Sequence, residues 1–579
     1  MPQPPSGRDS RYDAVVVGAG FGGLGAALTL AERGARVLVL EAMTYPGGCA
    51  STFERGGVRY EAGATLFSGF GAGQLFRRWI DGHRLDVEFR ALDPAIELRA
   101  PGLRLPVTSR RDEVVTALCA MPGAPRAAVR SFFDLQARVA DTLWPLLDDP
   151  SLLPPFGDGA WRRHLAALPD YARLAPLAGR TLGSVMRSHG VAGFEPLRVL
   201  AESLCRITVQ CGADESEAPL ALAALDYPFR GAGHVTGGIG RFADALVGAI
   251  RGLGGEVAFG ARAVSIRRDG TAWTVATRRG VVRAGCILAN VLPHDLARLL
   301  GEASGAGSRI DRLGRDVASG WGAAMLYLVA RAPHGVSSSA SHVEIVQDPS
   351  APFVEGNRLF CSISDAADGR GLPEGRRTIT VSTHVAMNDF AAMPASGQAS
   401  RIGLVQRRMR EGIARFLPQW DEGIEREMTA SPRTFERFTL RTGGFVGGVP
   451  RFAGWRTYRD LAPRAVRPGL WIVGDSVFPG QSALAAAVGG VKTAQTASRQ
   501  LGRARREPDE PDAREEAPSA AALARGGGAR RHAADVPRLR GVGLDPEGGD
   551  RAFAARAGAQ PAHPRDGALA AHGADDLRR

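Results

Sequence analysis

The chain is almost without lysine. Of its 72 basic residues only Lys492 is one, and the arginines behind the formal charge of +12 are scattered among 60 acids. Arginine in place of lysine, with abundant Ala, Gly and Pro, is the usage of a GC-rich genome. It does not form the clustered stripe that tracks a phosphate backbone, so nucleic acid is not an expected partner. Cysteine is scarce as well. Cys49, Cys119, Cys205, Cys211, Cys286 and Cys361 are dispersed, with no CxxC pair or zinc spacing. Neither a disulfide framework nor a metal site is expected, and a reducing cytoplasm is the expected compartment. No apolar run reaches the roughly 18 residues that would span a bilayer. The polar, Pro-rich start lacks the apolar segment of a signal peptide. No Ser/His/Asp arrangement or carboxylate pair stands out. His83, His234 and His294 are candidate acid–base groups, but each reads first as a surface or structural histidine, so the catalytic residues stay unassigned.

Glycine, by contrast, is plentiful, with 74 residues. The most informative run is 13–53, DAVVVGAGFGGLGAALTLAERGARVLVLEAMTYPGGCASTF. The apolar stretch 14–17 reads as a buried parallel strand, 24–32 as a helix and 36–40 as a second strand ending in Glu41. Gly18, Gly20 and Gly23 stand at GxGxxG spacing, with Phe21 and Gly22 inside the same turn. In a dinucleotide site Gly18 permits the tight turn, Gly20 admits a pyrophosphate and Gly23 lets helix and strand pack closely. The helix N-terminus then faces the phosphates, and Glu41 accepts from a ribose hydroxyl. The whole unit within about 30 residues is far more specific than the glycines alone.

A second glycine pair, Gly47-Gly48, follows, and 51–63 reads as a hairpin. Here a family resemblance begins. EAMTYPGGCASTFERGGVRYEAGATLFSGFG, residues 41–71, resembles the N-terminal signature of the phytoene desaturase, carotenoid isomerase and retinol saturase group. In that group the second glycine pair approaches the FAD pyrophosphate. Many flavin amine oxidases carry an arginine directly after this pair, whereas Cys49 stands there in this chain. SPRTFERFTLRTGGFVGGVPR at 431–451 and GLWIVGDSVFPGQ at 469–481 are similar to later segments of the same group. The latter delivers Gly474 and Asp475 at the end of a strand, with Asp475 placed for a ribityl hydroxyl and the next helix N-terminus for the pyrophosphate. The resemblance also makes Val264, in the segment 257–266, a backbone contact to adenine.

The resemblance implies an α/β chain with a two-domain, FAD-binding Rossmann-type fold of the glutathione reductase-like kind and a substrate domain of mixed sheet plus helices. The expected division assigns 11–64, 231–317 and 431–502 to FAD binding and 65–230 and 318–430 to the substrate domain. The segments 280–283 and 284–291 read as separate strands, and 323–329, 358–363 and 377–385 as an antiparallel set. Residues 503–579, poor in aromatic and β-branched side chains, read as a disordered tail. The implied cofactor is non-covalent FAD, and the implied substrate is a long apolar polyene or isoprenoid. Such a substrate is either desaturated, by hydride transfer to oxidised flavin with loss of a neighbouring proton, or isomerised through reduced flavin without net redox change. Trp, Phe and Arg within 75–175 would serve a membrane surface as a further partner. Two other classes stay open: a flavin amine oxidase, and a non-enzymatic prenyl-lipid carrier of the GDP-dissociation-inhibitor type. A plain NAD-dependent dehydrogenase would not need the Gly474-Asp475 motif.

Overall fold

Residues 14–17 lie at the centre of the first of two seven-stranded sheets in the computed structural model, which describes residues 11–157, 159–301, 307–459 and 461–504. Arg11–Val17 pairs in parallel with Val37–Leu40 on one side and with Gly280–Ala289 on the other, and Val37–Leu40 pairs onward with Glu256–Ala258. Strands covered on both faces bury every side chain, which is why these runs are continuously apolar instead of alternating. Val37–Leu40 is buried throughout. The sequence reading split 280–283 from 284–291, but they form one ten-residue strand that changes partner along its length. Its first half runs antiparallel to Ala272–Thr277, and its second half runs parallel to Leu470–Ile472. A partner change leaves no break in local composition, so the sequence carried no sign of it.

Glycines set how closely the two principal helices pack. A methyl carbon added to Gly25, in Phe21–Glu32, would lie 2.9 Å from the carbonyl oxygen of Ala487 in Ala483–Ala504. One added to Gly490 would collide with the carbonyl of Gly22. This contact joins the glycine-rich motifs from opposite ends of the chain. The second helix continues to Ala504, two residues past the expected end of the FAD-binding segment at 502. The rest of the expected tail, 505–579, lies outside the described residues.

The same helix carries the chain's one lysine. Lys492 is 2% exposed, and among the described residues its Nζ has no hydrogen-bond partner. Burial, followed by the repulsion of Arg499, lowers its pKa from the usual 10.5 to about 8. A buried charge without a partner is a net cost. Lys492→Met is therefore expected to raise unfolding stability at pH 7 by about 1–3 kcal/mol. The folded ammonium deprotonates near pH 8 and the unfolded one near 10.5. Between those values the unfolded state binds more protons, so the wild type gains stability and the gap narrows. Urea denaturation of both proteins at pH 7 and 9.5 checks this; a destabilised variant at pH 7 would show that Lys492 holds the fold.

The second sheet runs in the order Ile424–Ala430, Trp321–Arg331, Arg376–Ala386, Arg358–Ile363, Ser341–Val346, Ile96–Ala100, Leu103–Val107. All its pairings are antiparallel except Ser341–Val346 with Ile96–Ala100. The 96–107 hairpin was not read from sequence. Its strands are five residues each, with buried positions alternating with half-buried or exposed ones, a weak signal at that length. A buried charge network ties the turn at 366–370 to the hairpin Thr52–Arg55/Val58–Glu61. Arg370 pairs with both Glu61 (2.8 Å) and Asp368 (3.0 Å), and His234 reaches Asp368 at 2.8 Å. Burial pulls the Asp368 pKa up, but His234 and Arg370 outweigh it and hold the carboxyl down at about 2.

Most aromatics of 75–175 point inward. Leu75–His83 buries Phe76 and Trp79, and Arg126–Asp148 buries Phe132, Phe133 and Trp144. The large apolar side chains left exposed in this stretch are Phe156, Trp161, Leu165 and Leu168, each between 51 and 55%. No described helix is long and apolar enough to cross a membrane.

Candidate functional site

The turn after Arg11–Val17 is built by close approach. Gly18 has φ +99°, the left-handed region that glycine tolerates, and its N–H donates to the Leu40 carbonyl at 2.8 Å. A methyl carbon on Gly20 would lie 2.6 Å from Asn290 Nδ2, and one on Gly474 would collide with Asn290 Oδ1. Asn290 follows the Gly280–Ala289 strand and so sits between the two glycine turns. A methyl on Gly22 would lie 2.6 Å from Gly474 Cα. One on Gly23 would collide with the Gly18 carbonyl, so Gly23 packs beneath the turn and is not among the cavity-lining residues. The Phe21 ring joins an aromatic cluster, 5.7 Å from Phe76 and 5.9 Å from Phe242.

Glu41 is buried and held from both ends. Oε2 accepts from the Ala19 N–H at 2.6 Å and Oε1 from the Met43 N–H at 2.8 Å. Burial raises its pKa, and the backbone donors oppose the rise. Gly47 donates to the Ala19 carbonyl at 2.9 Å, and a methyl on Gly48 would lie 3.6 Å from Gly20 Cα. The two glycine turns therefore face each other. Val264 is the unpaired residue of a bulge between Ala263 and Ser265, which leaves its peptide groups outside the ladder and its side chain 49% exposed.

The helix that follows the 469–481 motif starts at Ala483, with a loop between Asp475 and its N-terminus. Asp475 is also paired: Arg441 Nη2 lies 2.8 Å from Oδ2, and Nη1 donates to Oδ1 at 3.2 Å. Arg441 is fixed by a 2.7 Å bond from Nε to the Phe445 carbonyl. Its charge bears on the Cys49 thiol, which burial nonetheless pushes up. A distant arginine thus stands over the position where Cys49 replaces the arginine of amine oxidases. Sequence reasoning singled out neither Arg441, although it lies within the 431–451 segment, nor Asn290 at the end of the 284–291 stretch.

These groups line one cavity of about 660 Å³. Gly18, Gly20, Phe21, Gly22, Glu41, Gly47, Gly48, Val264, Gly474 and Asp475 all contribute to it. Leu66, Ile207, Phe435 and Phe438 carry its wall onward to the second sheet, where Met325, Phe360 and His384 close it. None of the three candidate histidines lines it. His83 faces Glu32 at 2.8 Å, His234 belongs to the Asp368 network, and His294 contacts the Thr442 carbonyl at 3.2 Å. Lys492 does not line it either.

The model of an NAD(P)-binding Rossmann-like domain matches residues 16–82. The chloroplastic prolycopene isomerase of Arabidopsis thaliana is 24% identical over 511 residues, covering 86% of this chain and 84% of its own. The hydroxyneurosporene desaturase of Cereibacter sphaeroides is 28% identical over 507 residues, 83% of this chain and 96% of its own. Over most of its length the chain is similar to carotenoid desaturases and isomerases. It is an oxidoreductase with a flavin-type cofactor. Among solved structures, an oxidoreductase from Methanosarcina mazei superposes with a TM-score of 0.54 at 18% identity, over 83% of this chain and 99% of that one. A putrescine oxidase variant gives 0.56 at 16% identity, over 85% and 99%. Both are likenesses of fold.

Proposed function

We propose that the chain binds FAD non-covalently and converts a carotenoid-type polyene by desaturation or flavin-mediated cis–trans isomerisation. The observation that carries this reading is the single cavity that begins at the facing glycine turns and continues between apolar walls. Glycines whose added methyl groups would meet a neighbouring turn are the requirement of a pyrophosphate cradle, and the donor set around them fits FAD. Gly20, Gly22, Gly47 and Gly48 would admit the diphosphate, Glu41 the adenosine ribose, the Val264 bulge the adenine, and Asp475 the ribityl chain. Arg441 would offset the diphosphate charge in place of the residue that Cys49 lacks. Bound flavin supplies a hydride acceptor or donor. The chain's own part is to hold the polyene beside it and keep water out. On this reading 11–64, 231–317 and 431–502 hold the cofactor, and 65–230 and 318–430 enclose the substrate.

The amine oxidase alternative has only the likeness of fold behind it, and the cavity has no lysine. A lipid carrier without flavin would not need so tight a glycine cradle. A substrate of this kind is delivered from lipid, and Phe156, Trp161, Leu165 and Leu168 offer an apolar face for a peripheral position on the inner side of the membrane. All six cysteines are unpaired, in keeping with a reducing cytoplasm.

Liposome-borne polyenes, followed by chromatography beside amine assays for ammonia and peroxide, test the reading. The expected result is a changed polyene bond pattern and no amine product. Robust amine oxidation with every polyene unchanged would overturn the substrate class and leave the fold intact.

A further inference from the structure

We infer that Gln481, backed by Gln210, holds the ring end of the flavin by accepting a hydrogen bond from its N3–H. This rests on the FAD reading and names residues for the one part of the cofactor that reading left without any. Both glutamines line the cavity, and Gly447 lies between them on the same wall. A methyl carbon on Gly447 would collide with Gln210 Oε1 and lie 2.8 Å from Gln481 Oε1. Two amide oxygens from distant parts of the chain therefore converge on one spot. Gly447 has φ +82°, the left-handed region that glycine tolerates, and its missing side chain leaves that spot free.

The nitrogens of the two amides fix which way their oxygens face. Gln210 Nε2 donates to the Arg206 carbonyl at 3.3 Å, and Gln481 Nε2 to the Ile207 carbonyl at 3.4 Å. Turning either amide over would set oxygen against oxygen. Among the described residues neither Oε1 accepts a hydrogen bond. Gln210 is 1% exposed and its oxygen is sealed, whereas that of Gln481 is not. An unpaired buried acceptor is a net cost, and the backbone here adds strain to it. Gln210 has φ +64°, and Ser482, next to Gln481, has φ +87°. Gln210 is locked in that conformation from both sides. Its N–H donates to the Cys205 carbonyl at 3.0 Å, and its carbonyl accepts from Trp321 Nε1 at 2.6 Å. A donor hydrogen at this spot would satisfy Gln481 directly and offset the Gln210 dipole beside it.

What can donate there is limited by what the cavity takes. The conjugated chain of a polyene carries no N–H or O–H. FAD carries sugar and ribityl hydroxyls, the adenine amino group and, in the oxidised ring, a single N–H at N3. The first three belong to Glu41, Asp475 and the Val264 bulge on the reading above. Gly448 abuts the Asp475 backbone, so Gly447 and its two glutamines stand one residue beyond the group proposed for the ribityl chain. The ring follows the ribityl chain in the covalent order of the cofactor, which leaves N3–H as the donor. A ring held by that edge is fixed in how it meets the apolar wall of the cavity.

The test uses 3-methyl-FAD, in which a methyl group replaces that one hydrogen and the rest of the cofactor is unchanged. Full-length protein freed of flavin is titrated with FAD and with 3-methyl-FAD, and flavin fluorescence reads each Kd. Wild-type protein should bind FAD about 10- to 100-fold more tightly than the methylated form. Gln481→Met should cut that ratio to about threefold or less, chiefly by weakening FAD, and Gln210→Met should lower it in part. A merely structural role for either glutamine would weaken both flavins alike and leave the ratio unmoved. Melting temperature establishes folding, and Gln481→Met decides alone if Gln210→Met does not fold. Wild-type protein that binds the two flavins within about threefold would overturn the inference and leave the FAD reading in place. So would a folded Gln481→Met protein that keeps the wild-type ratio. Failure to bind either flavin would overturn both.

Discussion

A Gly20→Val protein is expected to leave purification colourless. Gly20 has φ −72° and ψ 170°, values any residue adopts, so the substitution tests space and not backbone strain. An added Cβ would already lie 2.6 Å from Asn290 Nδ2, and the two methyl groups of valine would crowd the gap toward Gly48, whose own added carbon lies 3.6 Å from Gly20 Cα. That gap is the one proposed for the pyrophosphate. FAD affinity should fall at least about 100-fold, since the diphosphate cannot share the space with a branched side chain. Gly248→Ala is the control: it lies in the Ile239–Gly252 helix with nothing within 4 Å of the added carbon. It should stay yellow and gain up to about 1 kcal/mol from helix propensity. The flavin-to-protein ratio after gel filtration, with a melting curve to establish folding, decides the matter. A folded Gly20→Val protein with wild-type flavin content would remove the cofactor from this turn.

Arg441→Met is expected to weaken FAD binding by about 10- to 100-fold, the range of a lost charge-assisted contact. Two effects act in the same direction. The positive charge proposed to offset the diphosphate is gone, and Asp475 loses the partner that lies 2.8 Å away. An unopposed carboxylate beside a diphosphate is a like-charge contact. A second substitution separates the two effects. Arg441→Met/Asp475→Asn should recover part of the affinity if repulsion matters, and none if Asp475 itself binds the ribityl chain more strongly than it repels. Titration by quenching of flavin fluorescence reads each Kd. A Kd within about twofold of wild type for Arg441→Met would make Arg441 a structural residue of the 441–445 turn. The charge-assisted bond to the Phe445 carbonyl gives it that role in any case.

The sequence by itself determined the nucleotide fold and the glycine turns. Strand, GxGxxG, helix and Glu41 are local and contiguous, and each is dictated by backbone sterics that few residue types satisfy. Gly474 and Asp475 were legible for the same reason. Only the tertiary structure decided what those turns meet. Asn290 stands between Gly20 and Gly474 because the Gly280–Ala289 strand ends beside Arg11–Val17, and an asparagine at a strand end has no signature of its own. Arg441 reaches Asp475 because a turn at 442–444 folds back, and one arginine among scores of others cannot be singled out by spacing. His384, on an eleven-residue strand, reads as an ordinary sheet residue, while His83, His234 and His294 looked no less promising. Register put His384 on the cavity face, and burial, with Arg358 and Arg206 nearby, keeps it neutral; both are set by strands that come together from residues 96 to 430.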